Sequence, residues 1–296
     1  MVTSTEVESK QYRGITRWGR IVKNLGMILP VGVLSLLIIC AIFADVIAPF
    51  PYDETSLPER RVPPAWVEGG STKHFLGTDT LGRDVLSRAV YGARVSLSVS
   101  LLAIVITASV GTVLGIISGY TGGRVDAFIM RITDMAMSFP PLLLAILIAV
   151  SLGPGFFTVI FALSILGWSG YARIIRGEAL RIRNSDFIAQ AQVIGVSPWR
   201  IMLRHIFPNI QNVLIIGVTL SVGSMILAES AMSYLGIGIP PPMPSWGSMV
   251  ADGRNDLDRA WWISAFPGIA IGLVVMSGNF LGDWIRDKTD PRLRQL

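Results

Sequence analysis

Residues 135–172 read Met135-Ala-Met-Ser-Phe-Pro-Pro-Leu-Leu-Leu-Ala-Ile-Leu-Ile-Ala-Val-Ser-Leu-Gly153-Pro154-Gly155-Phe-Phe-Thr-Val-Ile-Phe-Ala-Leu-Ser-Ile-Leu-Gly-Trp-Ser-Gly-Tyr-Ala172, with no charged side chain. A helix that crosses about 30 Å of hydrocarbon needs roughly 20 apolar residues. This run is long enough for two crossings, and Gly153-Pro154-Gly155 marks the turn between them. Four further uncharged runs hold one crossing each: Asn24–Ala44, Val95–Gly123, Ile206–Ala228 and Ala260–Gly282. The chain is therefore predicted to be an all-α integral membrane protein with six transmembrane helices, at about 25–47, 95–117, 127–152, 156–172, 210–236 and 261–282. A cytoplasmic segment 1–24, a transmembrane domain 25–285 and a cytoplasmic tail 286–296 complete the predicted organisation.

Composition agrees. Of 296 residues, 51% are hydrophobic and 15% charged, against about 25% charged in soluble domains. With both termini placed inside, the cytoplasmic segments hold 17 Lys and Arg residues and the outer segments 8, as the positive-inside rule expects. The net charge of +5 then reflects loops facing an anionic leaflet and needs no nucleic acid. The first apolar run is too long for a signal-peptide core and lacks a small-residue cleavage site. Cys40, preceded by two Ile, reads as an ordinary apolar residue. One cysteine and two histidines, His74 and His205, give no disulfide and no metal site.

Between the first two spans, Leu81, Val85 and Ala89 recur at helical spacing with Arg83, Ser87 and Arg88 opposite. Asp79–Tyr91 is predicted as an amphipathic helix at the outer interface, capped by Thr78 or Asp79. Span 2 carries small residues every fourth position, Ala103, Thr107, Gly111, Gly115 and Gly119, a stripe that lets another helix come close.

The cytoplasmic stretch 173–207 is the most informative loop. A short helix is predicted over Asp186–Ile194, with Ser185 or Asp186 as cap and Gly195 as stop. Phe187, Ile188, Ala191 and Ile194 form its apolar face. A second helix starts at Ser197-Pro198 and runs through Trp199, Met202, Leu203 and Ile206 until Pro208 interrupts it. A helix this short is marginal alone in water, so its apolar face must dock on something. Glu229, in span 5, is the one convincing ionisable residue within a span, and such groups are expensive there. With Ser230 and Ser233 it is a pathway or gate candidate. The alternative is a structural anchor, bonded to loop backbone or to an outer arginine such as Arg83. No phosphate-binding Gly-Lys loop, HExxH or G-x-S-x-G motif occurs, so catalysis by this chain is unsupported.

These residues resemble the permease subunits of ABC importers of the dipeptide/oligopeptide/nickel family. Such permeases carry a cytoplasmic signature E-A-A-x-x-x-G, nine residues, then I-x-L-P. Here Ala191, Gly195 and Pro208 match, while Ala189, Gln190, His205 and Phe207 depart from it. The outer stretch His74-Phe-Leu-Gly77-Thr-Asp79-Thr-Leu-Gly82-Arg83-Asp84-Val-Leu-Ser-Arg88 is similar to the outer motif of the family's "C" type subunit, as are Leu227–Gly236 and Pro244-Ser-Trp-Gly247. The resemblance implies a heterodimer with a second, homologous permease, two cytoplasmic ATPase subunits that hold the ATP and Mg, and an extracytoplasmic binding protein. It makes Asp186, Phe187, Ile188, Ala191, Ile194, Gly195, Pro198 and Pro208 the ATPase-coupling residues, in a bacterial or archaeal inner membrane. It favours di- or oligopeptides as substrate, with nickel or another small solute as the alternative. A stand-alone secondary transporter or channel is a separate reading, disfavoured by the nearly uncharged middle of the membrane.

Overall fold

The small-residue stripe of the second span organises the molecule. In a computed structural model that describes residues 17–289, the stripe lies on α3 (Val85–Thr121). Gly111, Gly115 and Gly119 back directly onto Tyr171, Ala172, Ile175, Arg176 and Ala179 of α6 (Phe156–Arg183). A Cβ at Gly115 would stand 2.8 Å from the Ala172 carbonyl and the Ile175 Cβ. Glycine thus lets two backbones approach, and α3 with α6 forms the largest helix–helix contact of the described residues. In lipid this close packing replaces apolar burial as the driving force.

The other elements assemble around that pair. The chain enters as α1 (Arg17–Ile42), followed by the single turn α2 (Ala44–Ile47) and a long loop with a 3₁₀ turn at Leu57–Glu59. After α3 come α4 (Gly123–Ser138) and α5 (Pro141–Leu152), then α6. At one end of the bundle lie α7 (Asp186–Val193) and α8 (Pro198–Ile201), which leads into α9 (Phe207–Tyr234). The short helix α10 (Trp246–Gly253), at the opposite end, and α11 (Trp262–Thr289) complete the described chain. Every helix and turn of helix assigned to the described residues fits an all-α fold, with one isolated β-bridge between Thr78 and Asp84.

Four helices among the described residues are long and apolar enough to cross a membrane: α3, α6, the continuous rod Pro198–Tyr234, and α11. The pair α4–α5 makes a fifth, bent by 86°. Met27–Ile42 of α1 forms a shorter apolar helix. Segments 1–16 and 290–296, including most of the two expected cytoplasmic ends, lie outside the described residues.

Four expectations need correction. The expected span at 127–152 is two helices, because Pro140 and Pro141 supply no N–H to continue the ladder of α4. Asp79–Tyr91 is not a separate interfacial helix: Asp84 is the N-cap of α3, with its carboxylate accepting from Ser87 N, and residues 78–84 form a tight loop instead. Arg83 and Arg88 are 8% and 3% exposed rather than on a wet face. Pro208 does not interrupt the path into span 5. Met202–Ile206 form a π-helical turn, Phe207 N–H donates to the Met202 carbonyl, and the widened turn absorbs the proline in one unbroken rod.

Candidate functional site

The short helix α7 is built as the sequence suggests, from Asp186 to Val193, and Gly195 closes it with φ +79°. Ser185 occupies the N-cap position, yet its hydroxyl turns back to donate to the Ile182 carbonyl at 2.5 Å. The apolar face divides in two. Ile188 and Ala191 are buried among Ile175, Ala179 and Ile182 of α6 and Ile201, Met202, Ile206 and Ile210 of the α8–α9 rod. Phe187, Val193 and Ile194 are exposed, Val193 at 87% and Ile194 at 78%, and Trp199 of α8 adds a fourth exposed apolar side chain. Half of the face that must dock therefore finds its receiver in its own chain. The departing positions Ala189 and Gln190 face outward, as do Asp186, Pro198 and Pro208.

The outer motif is a compact ion-paired clamp. Asp79, 1% exposed, accepts backbone N–H bonds from Leu81 and Arg83 at 2.8 and 2.9 Å. Its other oxygen accepts from Arg83 Nε at 2.6 Å and from Arg88 Nη1. Both arginines reach on to Asp252 of α10, at 3.4 and 3.2 Å, so two buried cations face two carboxylates from opposite ends of the chain. Asp84 caps α3 and also meets His74 Nδ1 at 3.0 Å. The other His74 nitrogen lies 3.5 Å from Glu59, whose carboxyl the Lys73 ammonium, first, and the Ser56 hydroxyl hold below the usual carboxylate value. Gly77 and Gly82 permit the tight turns, at φ +82° and +77°. Trp262 of α11 locks the loop by donating Nε1–H to the Thr78 carbonyl at 3.0 Å.

Glu229 is fully buried on α9. Ser233 Oγ donates to it at 2.8 Å and Ser230 Oγ at 3.4 Å, and the hydroxyls of Ser96 on α3 and Ser245 at the start of α10 lie near it. Arg83 is engaged elsewhere, with Asp79 and Asp252. Of the three pathway candidates, Ser233 borders an outer hollow with Tyr234, Asp252 and Arg254, and Ser230 borders a second, apolar one.

Sequence reading missed five participants. Asp252 has no local pattern that points to Arg88, 164 positions away. Asp126 and Arg176 form a bidentate pair between α4 and α6, signalled only by two lone charges flanking spans. Ser96 and Ser245 look like any span and loop serines.

Comparison with known proteins places these features in context. Residues 111–295 match the family described as the binding-protein-dependent transport system inner membrane component. Residues 16–64 match the N-terminal TM domain of oligopeptide transport permease C. The chain is similar to the di/tripeptide transport system permease protein DppC of Pseudomonas aeruginosa, 38% identical over 277 residues, 94% of this chain and 91% of that protein. It is 39% identical over 279 residues to the dipeptide transport system permease protein DppC of Bacillus subtilis, covering 94% and 85% of the two chains. With the oligopeptide transport system permease protein OppC of Bacillus subtilis it shares 38% identity over 263 residues, 89% and 84% of each. A solved structure of the inward-facing MetNI methionine ABC transporter has the same fold at a TM-score of 0.58 and 16% identity, over 69% of this chain and 97% of that one.

Proposed function

The chain belongs to the inner-membrane components of binding-protein-dependent transport systems, and from that premise we propose that it is the C-type permease subunit of an ABC importer for di- or oligopeptides. Relatives matched along most of the chain are named for di/tripeptide, dipeptide and oligopeptide transport. The permease forms half of the translocation path and pairs with a second, homologous permease. An extracytoplasmic binding protein delivers the peptide. Two cytoplasmic ATPase subunits hold ATP and Mg and supply the energy. The chain crosses the bacterial or archaeal inner membrane six times, with α1 as the first crossing and both ends in the cytoplasm.

The observation that carries the coupling role is the divided face of α7. Its exposed half, Phe187, Val193 and Ile194, is an apolar seat for a groove on an ATPase. Its buried half wedges Ile188 between α6 and the α8–α9 rod, so a push on the seat moves both long helices together. That is the mechanical requirement for exposing a path to each side in turn.

The test is purification of the tagged permease with its co-expressed ATPases, alongside peptide uptake by the same variant. Phe187→Asp is expected to lower ATPase recovery at least tenfold and abolish uptake while leaving the permease folded. Unchanged recovery and uptake in that variant would remove the coupling assignment.

A further inference from the structure

We propose that the break between α4 and α5, with the Asp134–Arg173 ion pair beside it, lines the translocation path and offers backbone carbonyls to the N–H groups of a passing peptide. The choice of peptide rests on the function proposed above. The placement of the break rests on the geometry that follows.

The break lies within the membrane. α5 and α6 form a hairpin about Gly153-Pro154-Gly155, and Ala145 of α5 packs with Val159, Ala162 and Leu163 of α6. The twelve residues of α5 descend about 18 Å, well short of about 30 Å of hydrocarbon. At that depth the chain turns by 86°. An unbroken helix would pair the Ala136 and Met137 carbonyls with amides at 140 and 141, but both positions are proline and have none. Ser138, Phe139, Pro140 and Pro141 are all exposed on this chain.

Irregular backbone at membrane depth does not face lipid. It persists only where protein covers it or water reaches it. A second, independent feature points the same way. Arg173 Nη2 bonds Asp134 Oδ1 at 2.6 Å, one turn before the break along α4, with the side chains 51% and 61% exposed. An ion pair that open is costly against hydrocarbon, so neither backbone nor side chains face lipid on this flank.

The chemistry suits a peptide. Carbonyl acceptors at a helix C-terminus read amide N–H groups and a terminal ammonium without reading side chains. Around them Met135, Met137 and Phe139 are exposed, and methionine adapts to varied shapes. A site of this kind takes the peptide backbone and leaves sequence selection to the delivering protein.

The experiment uses the assembled transporter in vesicles, with the lone cysteine removed as Cys40→Ser and single Ser138→Cys or Phe139→Cys variants made. Both positions are exposed, so folding does not depend on either side chain. A charged methanethiosulfonate is expected to label both, and saturating trialanine to slow that labelling at least threefold. Labelling by a lipophilic maleimide alone would mean a lipid face, and labelling by neither reagent a face covered by the second permease. Either result overturns the inference. So does an unchanged labelling rate in a transporter that takes up trialanine. If the parent transporter takes up neither dialanine nor trialanine, the peptide assignment above fails, and labelling by the charged reagent alone decides whether the break lines the path.

Discussion

Arg176 grips Asp126 through two bonds, Nε to Oδ1 at 2.5 Å and Nη2 to Oδ2 at 2.6 Å. The Ser118 hydroxyl donates to the same carboxylate at 2.5 Å. Three helices therefore meet at one side chain: α3 through Ser118, α4 through Asp126, and α6 through Arg176. The corner at Gly122 is fixed within the first turn of α4, and Asp134 pairs with Arg173 of α6 in its last turn, before the proline break. Two ion pairs, Asp126–Arg176 and Asp134–Arg173, therefore tie α4 to α6 at both of its ends.

Removing one partner of that pair is expected to cost more than removing both. Asp126→Ala strands a guanidinium that is 32% exposed, at about 1–3 kcal/mol of stability. Arg176→Ala strands the carboxylate instead. The double variant leaves neither group unpaired and should lie closer to the parent than the sum of the singles. Thermal unfolding of the four proteins in detergent measures this, and strict additivity would show that the contact carries no coupling.

The two halves of the α7 face should respond differently to truncation. Ile188 is fully buried, and Ile188→Ala is expected to cost about 2–5 kcal/mol. Phe187 is 44% exposed, and Phe187→Ala should change stability by no more than about 0.5 kcal/mol. A chemical or thermal melt separates them. Equal losses would place Phe187 in the core and leave the inner end without an apolar seat.

The periodicity of residues 186–194 was enough to find α7, its stop at Gly195 and its apolar composition. It could not say where that face divides, because Ile188 is covered by α6 and by residues beyond 200, which only the tertiary fold supplies. The charges at Arg83 and Arg88 misled for a related reason: local spacing puts them on a polar face, but Asp252 lies far along the chain and draws them inward. Gly153-Pro154-Gly155 was legible as a turn because it combines three breakers. Pro140-Pro141 carries the same warning, a pair of missing donors within an apolar run, and hydropathy averaging over 127–152 hides it. Hydropathy reports where a segment resides and is silent on whether its helix is continuous.

Gly82 and Gly236 both have positive φ, +77° and +80°, yet they should differ in tolerance. A Cβ on Gly82 would run into the Ser56 carbonyl, whereas one on Gly236 meets nothing within 4 Å. Gly236→Ala is expected to cost the left-handed penalty alone, about 1–2 kcal/mol. Gly82→Ala must also displace the backbone of the outer clamp, and should reduce the yield of folded protein well below that of Gly236→Ala. Similar yields for the two would mean that the clamp is soft.

Lys73 Nζ lies 2.7 Å from Glu59 Oε1, and this contact lowers the pKa of Glu59 from its ordinary 4.5. A carboxyl with a lowered folded pKa contributes stability that is full above its unfolded value and is lost as pH falls through the folded one. Lys73→Ala should therefore melt below the parent at pH 7, by a small margin because the pair is partly solvated. The two curves should converge as pH is brought below 4. A gap as wide at pH 3 as at pH 7 would show that Lys73 acts through packing instead.

Glu229 offers the sharpest choice between a gate and an anchor. Its carboxylate is closed from solvent and ringed by hydroxyls from α3, α9 and the start of α10. Hydroxyls rotate, so an amide of the same size can replace the carboxylate with donors and acceptors re-paired. Glu229→Gln is thus expected to keep stability within about 1 kcal/mol and to keep transport. Glu229→Leu fills the space but strands the hydroxyls that now donate to nothing, and should cost about 1–3 kcal/mol. Melting temperature and uptake are to be measured on both. If Glu229→Gln melts like the parent but transports nothing, the charge itself takes part in the cycle, and the anchor reading gives way to the gate.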